Sequence, residues 1–313
     1  NGPSEEGRET MQVLLKKLSG KLSAGSWFSG HPEIRTVEMT SDLPAIEELL
    51  QLEEWPLVRE DLEVSHCQPG AVFNVAIKDG AFAGFFATHS FGRVGYLDIM
   101  VIDPKFRRKS IARPLYFKTL RSLRANGAHG YVVHTTNDSA RIIHLLGFKP
   151  GREFTLLVRP AGNGDAVPLQ ELDYRDRDAL VALDAEVFGL ARPEWIDALV
   201  AQPRVRFVGL HANGKLGASA CLRPRRGAAV CLDSVNSRDL ADLIPFVQDI
   251  VRANGDKRLE CFARVGSPLH HEMIEQGFEV PEFFKAIGPL VEWRKGKTDG
   301  LGASDRAQTL NWF

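Results

Sequence analysis

What most limits the fold of this chain is that it repeats itself. Val75-Ala-Ile-Lys-Asp-Gly-Ala-Phe-Ala-Gly84 returns as Val208-Gly-Leu-His-Ala-Asn-Gly-Lys-Leu-Gly217, so Gly84 and Gly217 stand 133 positions apart. Gly147-Phe148 returns as Gly277-Phe278, 130 positions on. Length alone suggests about two domains, and the repeat makes them two copies of one unit. Ala161-Gly-Asn-Gly-Asp165 is a natural joint between them. The expected organisation is an extension over 1–32, a first unit over 33–160, a second over 166–293 and a tail over 294–313.

The first unit reads as mixed α/β, a mostly antiparallel sheet flanked by helices. Ala71 to Ile77 and Ala81 to Thr88 alternate as strands around Asp79-Gly80, a two-residue hairpin signal. Val94 to Ile102 is mostly apolar, as expected of a strand covered on both faces. Ile111 to Arg124 is helical by pattern, with Tyr116, Leu120 and Leu123 at i, i+4 and i+7, and Asn126-Gly127 as its stop. Gly130 to Thr136 is the next strand. Asn137 or Ser139 caps a short helix ending at Gly147, and a last strand runs to Pro160. In the second unit Leu240, Leu243, Ile244, Val247 and Ile250 mark the corresponding long helix.

The most chemical stretch is 98–112, Asp-Ile-Met-Val-Ile-Asp-Pro-Lys-Phe-Arg-Arg-Lys-Ser-Ile-Ala. A strand turns at Asp103-Pro104 into a basic loop that runs straight into a helix. The first amides of a helix lack intrahelical partners, and the helix dipole adds about half a positive charge at that end. Such a terminus cradles phosphate. Arg107, Arg108 and Lys109 add charge and donors.

Arg107-x-x-Ser110-x-Ala112 resembles the Arg/Gln-x-x-Gly-x-Gly/Ala signature of the GNAT superfamily of acyl-CoA N-acyltransferases, with Ser110 where that pattern has glycine. The order of strands and helices over about 33–160 is similar to a GNAT domain too. The second unit has Asp233-Ser-Val-Asn-Ser-Arg-Asp239 where the basic loop belongs, a poor diphosphate cradle. The chain thus resembles tandem acetyltransferases whose C-terminal domain is a degenerate GNAT unit, with one acyl-CoA site in the first half.

The resemblance implies the following roles. Acetyl-CoA, or another acyl-CoA, is the co-substrate. Its diphosphate sits on Arg107, Arg108, Lys109, Ser110, Ile111 and Ala112. Its pantetheine arm enters between two splaying strands along Met100, Val101 and Ile102, and Asn137 meets the arm or the leaving sulfur. An amide near Val101 polarises the thioester carbonyl. A small-molecule amine or a peptide amino group attacks directly in a ternary complex. An ammonium with a pKa near 10.4 must first lose a proton to a base or a water chain.

Asp98, on an otherwise apolar strand, is the first candidate base, and Tyr96 shares its face by alternation. The GNAT acid is a tyrosine four residues before the Gly-Phe pair. Here Ile143 stands there with His144 beside it, so His144 is a candidate acid. His134 and Thr135 lie on the splayed strand, and only one of them can face the pocket. Trp55 is a candidate for stacking on the acceptor. His66, Cys67, His89 and His270-His271 show no metal spacing, and no metal is expected.

Composition bounds the alternatives. The chain is 44% hydrophobic and 25% charged with a net charge of −1, which argues against nucleic-acid binding. No run of roughly 18 apolar residues reads as a membrane span. Cys67, Cys221, Cys231 and Cys261 lack paired spacing and fit thiols of a reducing compartment. A cytoplasmic location is expected, with organellar targeting left open. Met11 to Leu22 reads as an amphipathic helix between a flexible end and the first unit. The competing readings are an acyl-CoA-binding protein without turnover and an acyltransferase to a thiol or hydroxyl.

Overall fold

The computed structural model describes residues 31–55, 57–160, 170–188, 191–212, 215–225, 229–233, 244, 247 and 258–298. In the first half these form β1 (Glu33–Thr36), α1 (Met39–Leu52), α2 (Arg59–His66), β2 (Val72–Lys78), β3 (Ala81–Phe91), β4 (Val94–Ile102), α3 (Ala112–Ala125), β5 (Gly130–Thr135), α4 (Asn137–Leu145) and β6 (Lys149–Pro160). In the second half they form β7 (Gln170–Leu172), α5 (Arg177–Phe188), α6 (Pro193–Val200), β8 (Arg206–Ala212), β9 (Lys215–Arg225), β10 (Ala229–Asp233), β11 (Arg258–Arg264), α7 (Pro268–Glu275), α8 (Glu282–Ile287) and β12 (Leu290–Gly296). The N-terminal amphipathic segment, the 161–165 joint and the end of the tail lie outside the described residues. So does most of the second unit's long helix, of which Ile244 and Val247 are helical and buried.

Local chemistry accounts for the elements. Asp79 and Gly80 both take positive φ, 53° and 76°, which lets a two-residue turn join β2 to β3. Leu115, Tyr116 and Leu123 form the buried stripe of α3. The first helix begins at Met39, five residues before Pro44, because the buried Asp42 carboxylate accepts the Glu38 N–H at 2.8 Å and pairs with Arg35. One face of the first-half sheet, with Phe73, Val75, Phe85, Ile99 and Val101, packs under α1 and α2. The other, with Phe86 and Leu97, packs under α3. Trp55 packs against the first of these cores, so its bulk serves the fold.

Among the described residues the two units share one twelve-stranded sheet in the order β1-β2-β3-β4-β5-β12-β6-β11-β10-β9-β8-β7. Its centre is a reciprocal exchange. The second half's last described strand, β12, lies between β5 and β6 of the first half, and β6 lies beside β11 of the second. β4 runs parallel to β5, and β10 parallel to β11. The strand β12 continues to Gly296, beyond the unit boundary expected at 293, because Arg294 and Lys295 pair with Val132 and Tyr131 of β5.

The repeat is present, with its hairpin period corrected by one residue. Lys78 pairs with Ala81, and Ala212 pairs with Lys215, which puts the two hairpins 134 positions apart. Each carries a register shift at the equivalent place, between Ala76 and Ile77 and between Leu210 and His211. Matching Gly84 to Gly217 misaligned the copies, because Gly217 occupies the bulge that Ala83 occupies in the first. The Gly147 and Gly277 turns keep the period of 130, with φ of 86° and 81°.

Candidate active site

Strand β4 parts from β5 half-way along. The parallel ladder holds from Val94–Gly130 to Leu97–Val133 and stops there. Beyond it His134 and Thr135 pair with Glu292 and Val291 of β12, while β4 runs on beside β3. The edge of β4 from Asp98 to Ile102 therefore opens on a wedge, and Met100, Val101 and Ile102 line it. The Ile102 carbonyl accepts from Arg107 Nε at 3.2 Å.

At the apex of the wedge β4 bulges. Ala87 faces Ile99 and Thr88 faces Leu97, so Asp98 is the extra residue. A bulge re-aims its side chain. Tyr96, Asp98 and Ile99 consequently lie on one face, the face of α1 and α2, while Leu97 and Met100 pack toward α3. Alternation had already put Tyr96 and Asp98 together, and the bulge keeps them so.

Asp98 is held from β3. Its Oδ2 lies 2.5 Å from His89 Nδ1, and His89 Nε2 donates to the Ser65 carbonyl of α2 at 2.9 Å. Against this pair lies a cavity of about 20 Å³, enough for one water. The first half lines it with His89, Phe91, Tyr96 and Asp98, and the second half with Phe188, Arg192 and Trp195. The Arg192 guanidinium is buried, paired with both Asp184 oxygens, and stacked 3.7 Å over the Phe188 ring. Burial, and then the charge of Glu292, push the Tyr96 hydroxyl above the usual phenol range, so it stays protonated.

The loop after β4 is shaped for an anion. The Asp103 carboxylate accepts the Lys105 N–H at 2.7 Å and starts a short 3-10 turn over Pro104–Phe106. Arg108 and Ser110 both take left-handed backbone, with φ of 61° and 62°, on either side of Lys109. Alternating handedness of this kind turns successive amides into a concave nest. The N–H groups of Ser110, Ile111, Ala112 and Arg113 donate to no acceptor among the described residues. Ile111 is buried and pins the loop to the α3 core. The Arg108 and Lys109 side chains are exposed at the mouth.

Other expected site residues are placed differently. Arg107 pairs with Glu53 at the end of α1, so its side chain braces the loop. His134 packs on Phe154 with ring centroids 5.3 Å apart, and its Nε2 lies 3.7 Å from the buried Glu292. Burial alone would raise the Glu292 carboxyl, but the nearby His134 ring and the bonds from Arg152 and Arg294 outweigh it and hold the group well below the usual carboxylate range. His134 thus belongs to a charge cluster on the exchanged strands. His144 is exposed on α4, and Ile143 packs into the α3 core. Asn137 is exposed as the first residue of α4, its amide beside Gly288. The His270 and His271 rings meet edge to face, and among the described residues no cluster of three or more His, Cys, Asp or Glu side chains is arranged for a metal.

Sequence reasoning missed His89, Arg152, Glu292 and the second-half wall of Phe188, Arg192 and Trp195. His89 was within reach, because a tight hairpin closing at Phe91–Val94 sets His89 opposite Tyr96. The others come from strand and helix neighbours far apart in the chain, with no local signal.

Residues 37–148 match the family model described as the acetyltransferase (GNAT) family. They are a GNAT acetyltransferase domain. Among curated proteins none matches the chain in sequence. Solved structures share its fold. A putative acetyltransferase from Pyrococcus horikoshii aligns at a TM-score of 0.70 and 12% identity, over 93% of this chain and 98% of that one. A tandem GNAT protein from the clavulanic acid biosynthesis pathway aligns at 0.63 and 15%, over 86% of this chain and all of the other. A glucosamine N-acetyltransferase region of a fungal β-N-acetylglucosaminidase aligns at 0.61 and 12%, over 85% of this chain and 38% of that one. The second half of the chain therefore carries a second GNAT fold beside the GNAT domain. No helix among the described residues is long and apolar enough to cross a membrane.

Proposed function

We propose that the chain is an acetyl-CoA-dependent N-acetyltransferase with one site, in the unit spanning 33–160. The observation that carries this reading is the open edge of β4 leading into a loop and the start of α3, where four amides donate to no acceptor among the described residues. These residues suit the co-substrate. The nest of Ser110 to Arg113 would hold the diphosphate, with Arg108 and Lys109 as outer cations, and Met100 to Ile102 would align the pantetheine arm. Acyl-CoA supplies the activated thioester.

The chain's own residues do the rest. A free amide at the wedge fixes the thioester carbonyl and stabilises the charge that develops on its oxygen. Asp98 takes the proton of the incoming ammonium, directly or through one water in the cavity beside it. The amine then forms the new C–N bond as the C–S bond breaks, and the nitrogen gives up its second proton to solvent. The thiolate that leaves takes a proton from solvent, since Ile143 fills the place of the family's tyrosine. The acceptor is a small amine or an exposed amino group. The second unit, over 166–293, walls this side of the site. Isothermal titration with acetyl-CoA, joined to a thiol-release assay over polyamines, amino acids, aminosugars including glucosamine, and peptides, tests the reading. Release with at least one amine is expected. Asp98→Asn should lower kcat roughly 100-fold or more, the usual worth of a general base, with acetyl-CoA affinity unchanged.

The packed Ile143 also favours a second reading, an acyl-CoA-binding protein without turnover. Tight binding with no release over the whole panel selects it.

A further inference from the structure

We infer that His89 is a positioning residue for Asp98, and that through it the second half of the chain sets the geometry of the base. This rests on the proposed role of Asp98 as the base.

The argument starts from donors and acceptors. The Ser65 oxygen is a backbone carbonyl and can only accept, so the 2.9 Å contact fixes the His89 proton on Nε2. Nδ1 then faces Asp98 Oδ2 at 2.5 Å. Two acceptors do not sit that close without a proton between them. With Nε2–H spent on Ser65, the ring meets the carboxylate through a second proton at Nδ1, which donates to Oδ2. His89 is buried and Asp98 nearly so, which makes this a charge-assisted bond shielded from bulk water. One carboxylate oxygen is thereby committed to His89. The other is left to the cavity, where an amine or its relaying water arrives.

The second link is Ser65. It sits on α2, and α2 is clamped by the second half. Val64 packs into the core made by Trp195, Ile196 and Leu199 of α6. Asp61 lies 3.7 Å from the fully buried Arg223 of β9. The Gln68 amide, just past α2, donates to the Glu194 carbonyl at 3.4 Å and to Val64. Trp195 also meets the His89 ring itself, edge to face at 6.4 Å. The carbonyl that fixes the His89 tautomer is thus held in place by the half that lacks the anion loop. Of the titratable groups around the pair, Arg192 is paired with Asp184 and Arg223 with Asp61, and burial, then the neighbouring His89, lowers the pKa of the His66 ring.

The test combines spectroscopy with kinetics on the full chain. Protein labelled with ¹⁵N-histidine should show His89 with protons on both ring nitrogens at neutral pH, the Nδ1 proton shifted far downfield. Asp98→Asn should abolish that downfield signal. A neutral His89 ring indifferent to Asp98→Asn overturns the inference whatever the activity. In thiol-release assays His89→Ala should lose roughly 10- to 100-fold in kcat, the cost typical of loosening a group that orients a reacting one. KM for acetyl-CoA should not move, and His89→Gln, which can still donate to the carboxylate, should recover part of the loss. Should His89→Ala fail to fold, His89→Gln and the spectrum of the unmodified protein decide the matter. Normal turnover in the His89 variants alongside a crippled Asp98→Asn sinks this inference and spares the base. Normal turnover in Asp98→Asn sinks the base itself, and the positioning role with it.

Discussion

The two halves begin alike and end differently. Both open with a hairpin carrying the same register shift, both run a parallel pair of strands next, and both stop a helix with a Gly-Phe turn. They part at the strand that precedes the long helix. In the first half β4 is nine residues long, bulges at Asp98 and leads into an amide nest. In the second half β10 is described over Ala229–Asp233, and the sequence that follows, Ser234-Val-Asn-Ser-Arg-Asp239, lies outside the described residues. Both halves share the packed sheet, while the basic run 107–109 has no counterpart in the sequence 233–239. What the second half offers instead is support: Trp195 and Arg223 beneath α2, Phe188 and Arg192 against the cavity, and β12 within the first half's sheet.

The largest effect that would break this picture concerns the exchanged strand. Ending the chain before Leu290 removes β12 and leaves the edges of β5 and β6 unpaired, which invites aggregation. The truncated protein should lose cooperative thermal unfolding and go into aggregates. If it melts in one sharp transition with unchanged circular dichroism, each half completes its own sheet and the exchange is dispensable.

Within β12 the sharpest probe is Glu292, which ties together strands of both halves through Arg152, Arg294 and His134. Glu292→Gln leaves two arginines facing a neutral amide and should cost about 3–5 kcal/mol near neutral pH. The sign of the pH dependence follows from the depressed carboxyl. Its contribution is fully present above the unfolded value of about 4.3 and is lost progressively as pH falls from there through the depressed folded value. Denaturant unfolding of the two proteins should therefore differ most at neutral pH, and the gap should narrow steadily as pH falls below about 4. A gap that stays constant with pH would mean the carboxylate is not what Gln replaces.

The third comparison exchanges one charge in each half. Arg108→Glu should weaken acetyl-CoA binding by about 1.5–3 kcal/mol, the worth of a hydrogen bond to a charged group, or roughly 10- to 100-fold. Arg238→Glu, in the second half's counterpart of the loop, should leave affinity unchanged. Titration of both variants decides it, and equal losses would mean two acyl-CoA sites.

Much of this architecture is legible along the chain because its signals are local. Asp79-Gly80 marks a hairpin, the Tyr116–Leu123 stripe marks α3, and the bounds of β4 are those its apolar run sets. Strand alternation put Tyr96 and Asp98 on one face. The rest depends on what meets across space. The pairing of Arg107 with Glu53, at the far end of α1, has no local signal. His134 reads as a thioester neighbour until β12 brings Glu292 against it. The residues after Trp293 read as tail because Arg294, Lys295 and Gly296 owe their strand to partners some 160 positions earlier. A bulge is invisible in sequence, since one extra residue leaves the pattern of side-chain types nearly unchanged. Aligning glycine with glycine accordingly shifted the repeat by one.

The smallest expected effect is at Ser110, and it bears on how the cradle tolerates its departure from the family signature. The position has φ of 62°, so it needs the conformation that glycine adopts freely. A non-glycine residue there costs about 1–2 kcal/mol. Glycine relieves that strain but loses about 0.5–1 kcal/mol in chain entropy. Ser110→Gly should therefore stabilise the protein by no more than about 1.5 kcal/mol, readable as a small rise in melting temperature. The side chain is exposed and the amide is kept, so acetyl-CoA affinity should hold or rise slightly. A clear fall in affinity would show that the Ser110 hydroxyl itself contacts the co-substrate, and that this half's loop has a recognition element its signature lacks.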